Sequence, residues 1–298
     1  MINYSFYFYT YIFLIATTIL LFIGIEIALA LSFFINKDLY KKYENLFLSM
    51  WEITGTSIVF FVVQYEALLP SLLIPIAYSF YPLIFIILFL FIFRNIGIGF
   101  FEGKSINKEY SKRDILIYLF GTLIMAILFV SILSTAITGY GIKIVNGNIV
   151  WGLSIIFNYF TLLLLLSTIL FVLGILGYIF NVKKFKIYGL IGYLLVLLDI
   201  YLYENTIPYL FFFPLTILII LTFLNLKNII QRILFIISHY LNAIILETLL
   251  FPYIFGTINI NSLLSQSLPL LSAEFIVSII ITIVVIGIYY FEIKTILS

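Results

Sequence analysis

The sequence predicts an all-α polytopic membrane protein of about nine transmembrane helices. Three observations lead there. Of the 298 residues, 64% are hydrophobic and 9% charged, with a mean hydropathy of +1.26. A soluble domain carries roughly a quarter charged residues, so this chain cannot coat a globule. Apolar runs of about twenty residues recur along its length, each long enough to cross ~30 Å of hydrocarbon as a helix. Basic residues, finally, gather in alternate connections. In lipid the backbone must satisfy its own hydrogen bonds, which leaves helices or closed barrels. Barrel strands alternate apolar and polar residues, and these runs do not.

The expected spans are about 7–35, 46–66, 69–93, 114–138, 151–180, 187–204, 208–226, 232–256 and 273–292. They form a single membrane domain, 1–298, read as one four-helix half (1–139), a second four-helix half (151–256) and a last helix (273–298). The first run is too long, and lacks the basic start and small-residue cleavage site, for a removable signal peptide. Five Tyr and Phe residues within positions 1–10 read as an interfacial belt. Gly174, Gly177, Gly189 and Gly192 lie inside spans, where small residues let helices approach closely. Pro70, Pro75 and Pro214 are the candidate helix breaks.

Orientation follows from the cations. Lys37, Lys41 and Lys42 fall in the first connection, and Arg94, Lys104, Lys108, Lys112 and Arg113 in or beside the third. Lys183, Lys184 and Lys186 fall in the fifth, Lys227 and Arg232 in the seventh, and Lys294 follows the last span. That places 14 of the 15 basic residues on one side, with Lys143 alone on the other. By the positive-inside rule the rich side is cytoplasmic, so the amino terminus is expected outside and the carboxyl terminus inside. The location that follows is a cell (plasma) membrane.

The chain has no cysteine, which excludes disulfides, thiolate metal sites and cysteine nucleophiles. No Walker A, dinucleotide or HExxH pattern is present. What remains is a set of acids at membrane depth. Glu26 stands nine residues before Ile35, about 14 Å from the cytoplasmic end of span one, and Glu52 is roughly 9 Å deep in span two. Consecutive antiparallel helices are neighbours, so both carboxylates can share one layer. His239 on span eight, about 10 Å in from Arg232, falls in the same layer. For His239 a hydrogen bond tying two helices is the favoured reading over haem ligation. Asp199, Glu204, Glu247 and Glu274 fall in the other half, with Glu66 near its rim. Glu66, Glu204 and Glu274 are close enough to an interface to be solvated ends. A charge at membrane depth costs at least ~2.5–3.5 kcal/mol, and such residues commonly mark an ion or proton path.

Three segments carry a resemblance. "FIGIEIALALSFF" resembles the first span of cytochrome bd quinol oxidase subunit II, with Gly24, Ile25 and Glu26 on the family's Gly, Phe and Asp. "SMWEITGTSIVF" is similar to that subunit's Trp-Asp-Gly-Asn segment, with Trp51 and Glu52 on the Trp and Asp. "FLFIFRNIGIGFFEGKS" resembles the stretch closing its third span, with Phe93, Arg94 and Gly97 in register. Both acids are Glu where the family has Asp, Ile53 and Thr54 replace Gly-Asn, and Ser57 stands where a Trp is common. The motifs cover about the first 105 residues.

The resemblance implies a non-haem subunit of a quinol:oxygen oxidoreductase, one that stabilises a haem-binding subunit I and helps bring cytoplasmic protons to it. Haems and quinol would belong to that partner, with no cofactor in this chain. The partners implied are subunit I and membrane lipid, and no nucleic acid. The expected proton pathway is Glu52 with Glu26, supported by Trp51, Arg94 and His239. One histidine and three methionines could hardly hold several haems. Two alternatives stay open: a proton-coupled transporter, and a structural subunit of another respiratory complex.

Overall fold

The computed structural model describes residues 4–68, 81–105, 112–145 and 148–255, with single positions between 273 and 287. Eight helices and one hairpin occupy this set: α1 Tyr4–Ile35, α2 Lys37–Leu68, α3 Tyr81–Ser105, α4 Lys112–Thr138, β1 Ile142–Val145, β2 Asn148–Trp151, α5 Tyr159–Phe180, α6 Lys183–Glu204, α7 Phe212–Phe223 and α8 Asn228–Phe255. Among the described residues, six helices are long and apolar enough to cross a membrane: α1, α3, α4, α5, α6 and α8. The expected second span falls within α2, whereas the expected seventh, 208–226, is longer than α7 and begins with a 3-10 turn at Tyr209–Phe211. The expected ninth lies mostly outside the described residues, and the eight positions described there are helical.

Several boundaries differ from expectation, each for a local reason. Helix α2 begins at Lys37 rather than near Leu46, because Asn36 caps it: its Oδ1 accepts from the backbone N–H groups of Asp38 and Leu39, at 3.2 Å each. The polar first turns meet the apolar run at a kink at Tyr43 (φ −118°, ψ 15°), whose ring packs on Phe180 with centroids 4.3 Å apart. Helix α3 does not stop at Phe93 but runs on through Arg94 to Ser105. A charge ends a span in a hydropathy reading, whereas here it is paired inside the protein. Pro214 is the third residue of α7, where a missing N–H breaks no intrahelical bond, so it marks a helix start and not a mid-membrane break. Pro70 and Pro75 lie outside the described residues.

The all-α expectation also missed a hairpin. β1 pairs antiparallel with β2 in the register Ile142↔Trp151 to Val145↔Asn148. Asn146 and Gly147, between the two strands, lie outside the described residues. Gly141 leads in with φ +84°, and a Cβ there would sit 2.5 Å from the Ile155 backbone nitrogen, so only glycine fits. Span five therefore starts not at Trp151 but at Tyr159, after a short 3-10 turn at Leu153–Ile155. Asn158 caps it, its Oδ1 accepting from the N–H of Thr161 at 2.9 Å.

Small residues decide the packing. On α5 and α6, Gly174 faces the backbone of Gly189, Gly177 that of Lys186, and Gly192 that of Ser167 and Phe171. These pairings run in opposite directions along the two helices, so α5 and α6 form an antiparallel hairpin with backbones in contact. Asn181, left-handed at φ 58°, turns the chain between them. Helix α1 lies against this pair: a Cβ on Gly24 would come within 2.8 Å of Ile175. One apolar core joins all eight helices, α3 through Ile98, from Leu21 through Tyr118 and Leu176 to Ile245. Outside it, Phe85, Phe89, Ile92 and Ile96 of α3 point away from the bundle.

Candidate functional site

Glu26 is fully buried on α1, among Phe22, Ile25 and Leu29. Its partners come from α3 and α4, which glycine brings together. A Cβ on Gly97 would lie 3.0 Å from the backbone nitrogen of Tyr118, and one on Gly121 would lie 3.2 Å from that of Arg94. The two helices thus cross with Arg94 and Tyr118 on adjoining backbones. From there both side chains reach the same atom. Arg94 Nη2 donates to Glu26 Oε2 at 2.5 Å, and the Tyr118 hydroxyl donates to Oε2 at 2.6 Å. Arg94 is 1% exposed and Tyr118 0%.

Secondary contacts hold this arrangement. Arg94 Nη1 donates to Asn95 Oδ1 at 3.1 Å. Its guanidinium carbon stands 5.6 Å from the Tyr118 ring centroid and 5.7 Å from that of Phe91, within reach of both ring faces. Charge is balanced within the cluster, and guanidinium, being weakly hydrated, tolerates such burial better than ammonium. One valence is left over. Among the described residues, Oε1 of Glu26 has no hydrogen-bond partner.

The other expected residues are placed differently. Glu52 is exposed on α2 and makes no hydrogen bond or ion pair among the described residues, so it does not join Glu26. Two positions on, Thr54 is buried, with its hydroxyl donating to the Met50 carbonyl at 2.8 Å. The Trp51 side chain lies outside the described residues. His239 links α8 to α1 with Nε2 3.3 Å from the Thr17 carbonyl oxygen, and its ring stacks near those of Phe171 and Phe235 at 6.3 and 6.4 Å. Tyr118 is the member the sequence reading missed. It is one of 23 tyrosines, and only its position opposite Gly97 distinguishes it. Among the described residues no group of three or more His, Asp or Glu could hold a metal ion.

The fold and this site define a multi-pass helical membrane protein with a buried, charge-balanced cluster. No family model matches the sequence, and no curated protein does. Among solved structures, a chain of bd oxidase from Geobacillus thermodenitrificans matches with a TM-score of 0.65 and 14% identity. The match covers 100% of this chain and 99% of that one. The two chains share a fold over their full length, a distant likeness to cytochrome bd.

Proposed function

We propose that this chain is the non-haem membrane subunit of a cytochrome bd-type quinol:oxygen oxidoreductase, stabilising a haem-binding partner and helping deliver protons for oxygen reduction. Likeness of fold to a bd oxidase chain over the whole length carries the reading. In this reading the nine spans, the external amino terminus and the plasma-membrane location hold as the sequence predicts.

The residues support a division of labour. Arg94 and Tyr118 both donate to Oε2 of Glu26, so a water or a proton donor meets that carboxylate only through Oε1. Glu26 acts as a fixed acceptor that orients a proton path. Glu52, exposed on α2, is the acid that meets the partner, because a carboxylate left against lipid would be costly. The haems and quinol belong to the partner. His239 does not fit an axial haem ligand: its Nε2 faces a backbone carbonyl and aromatic rings pack against it.

The test is purification from the native membrane, with a haem spectrum and identification of chains that co-purify. The expected result is haem only in a complex with a second membrane subunit. Stoichiometric haem on the isolated polypeptide would defeat the reading. A haem-free chain that moves a solute coupled to protons would favour the transporter instead.

A further inference from the structure

A second carboxyl group is enclosed far from Glu26. Asp199 on α6 is 1% exposed, and among the described residues neither of its side-chain oxygens has a hydrogen-bond partner. The α5–α6 register sets its level. Gly174 faces Gly189 and Gly177 faces Lys186, so Asp199 lies beside the first turns of α5. Glu26, next to Gly24, is level with Ile175 near the other end. About twelve residues of α5 separate the levels, roughly 18 Å. The two acids occupy opposite halves of the bundle.

An ionised carboxylate without donors is among the most expensive groups to enclose, whereas the neutral acid costs far less. Among the described residues, pairing is not the remedy here. α7 contributes no titratable residue, and α5 brings only Tyr159 at this end, Tyr178 standing at the other. On α6 itself, the Tyr193 hydroxyl lies within hydrogen-bond reach of the Phe211 carbonyl and Asn242, exposed Tyr201 and then Tyr203 follow Asp199, and Glu204 ends the helix. No lysine, arginine or histidine of these elements stands at this level. A metal ion would need several oxygen ligands, and among the described residues no group of three or more His, Asp or Glu could hold it. A proton needs one.

Tyrosines at the same end of the bundle reach the surface. Tyr159 opens α5, at the end of the bundle where Asp199 lies, and its hydroxyl is 3.4 Å from that of Tyr140. Both tyrosines are exposed, at 48% and 37%. The Tyr203 ring, one turn beyond Asp199, packs edge-on against Tyr140 at 5.9 Å and against Phe160 at 5.5 Å. We propose that Asp199 is a proton-binding site: a neutral carboxyl that exchanges its proton, through Tyr159 and Tyr140, with water at the end of the bundle opposite Glu26. In each exchange a carboxyl O–H bond breaks as another forms. Each phenol gives one proton while taking another, so no phenolate accumulates and no redox partner is needed.

The site does not depend on the oxidase assignment, and it is tested on the full chain in its native assembly. Infrared spectra in water and deuterium oxide separate protonated carboxyl groups from carboxylates. Asp199→Asn should remove one protonated-carboxyl band while leaving the thermal unfolding midpoint unchanged, because an amide closely mimics a neutral acid. The double variant Tyr140→Phe/Tyr159→Phe should keep the band but slow its deuterium shift by about a hundredfold, the lower range for a positioned proton-transfer group. Persistence of the band in Asp199→Asn, or a fall in its unfolding midpoint, would mean that Asp199 is ionised and paired, and would overturn the proposal. Unchanged exchange in the tyrosine variant would overturn the route.

Discussion

Replacing Arg94 by methionine tests the Glu26 cluster most directly. Methionine keeps much of the volume on α3 and removes the charge, so what is lost is the 2.5 Å pair with Glu26 and the bond to Asn95. Glu26 is 0% exposed and keeps only the Tyr118 hydroxyl, so a negative charge stays enclosed with one donor. Removing one partner of a buried pair costs about 3–5 kcal/mol, and this site falls in that range because both partners are buried. Adding Glu26→Gln should return most of the loss, since the orphaned charge is gone and Tyr118 can still donate to the amide oxygen. Unfolding of the purified assembly in a denaturing-detergent titration, read by tryptophan fluorescence for both singles and the double, gives the coupling. A cost for Arg94→Met below about 1 kcal/mol, the scale of solvent-exposed pairs, would refute the enclosed geometry. So would a double variant as unstable as the sum of the singles.

Three further outcomes are expected. Glu52→Gln should keep assembly and haem content while lowering oxygen consumption per haem by about tenfold or more, as for loss of a proton-transfer group, with Glu52→Asp retaining part; full activity in Glu52→Gln would remove Glu52 from the path. Gly97→Val should cost about 1–3 kcal/mol in the same titration, because its side chain must push against the Tyr118 backbone; a neutral result would mean that α3 and α4 are not in backbone contact. Single cysteines at Lys143 and Lys184, both exposed in a chain without cysteine, should label from opposite sides of sealed vesicles; labelling from one side would overturn the expected topology.

Helices were legible because hydropathy and loop charge are axial signals, spread over some twenty residues each. Azimuth was not. Depth along the helix puts Glu26 and Glu52 in one layer, but a helix turns about 100° per residue, and depth says nothing of which way a side chain points. Glu26 points into the core and Glu52 out of it, while Thr54, two positions later, points in. Arg94 was found through resemblance, and in isolation it reads as a helix end. Tyr118 was illegible because its role depends on Gly97, 21 residues earlier on another helix. The hairpin escaped for a related reason: "WGLSIIFN" at 151–158 is apolar enough to pass as the start of a span. The Asn-Gly pair at 146–147 of the sequence and the Asn158 cap are signals that hydropathy averages away.

The order of the site residues along the chain bears on how a membrane can accept them. Glu26, Arg94 and Tyr118 all lie in the first four helices, ahead of every residue of α5 to α8. As the chain is made from its amino terminus, the carboxylate can meet its guanidinium and phenol while that half is the only part inserted. The α5–α6 pair, whose contacts are local and whose link is a two-residue turn, can close on its own soon after it emerges. Docking that finished hairpin against Gly24 then seals a charge already neutralised. Rearranging the gene so that α5 and α6 come first would ask α1 to bring a bare carboxylate to a preformed apolar wall. The present order spares the protein that step.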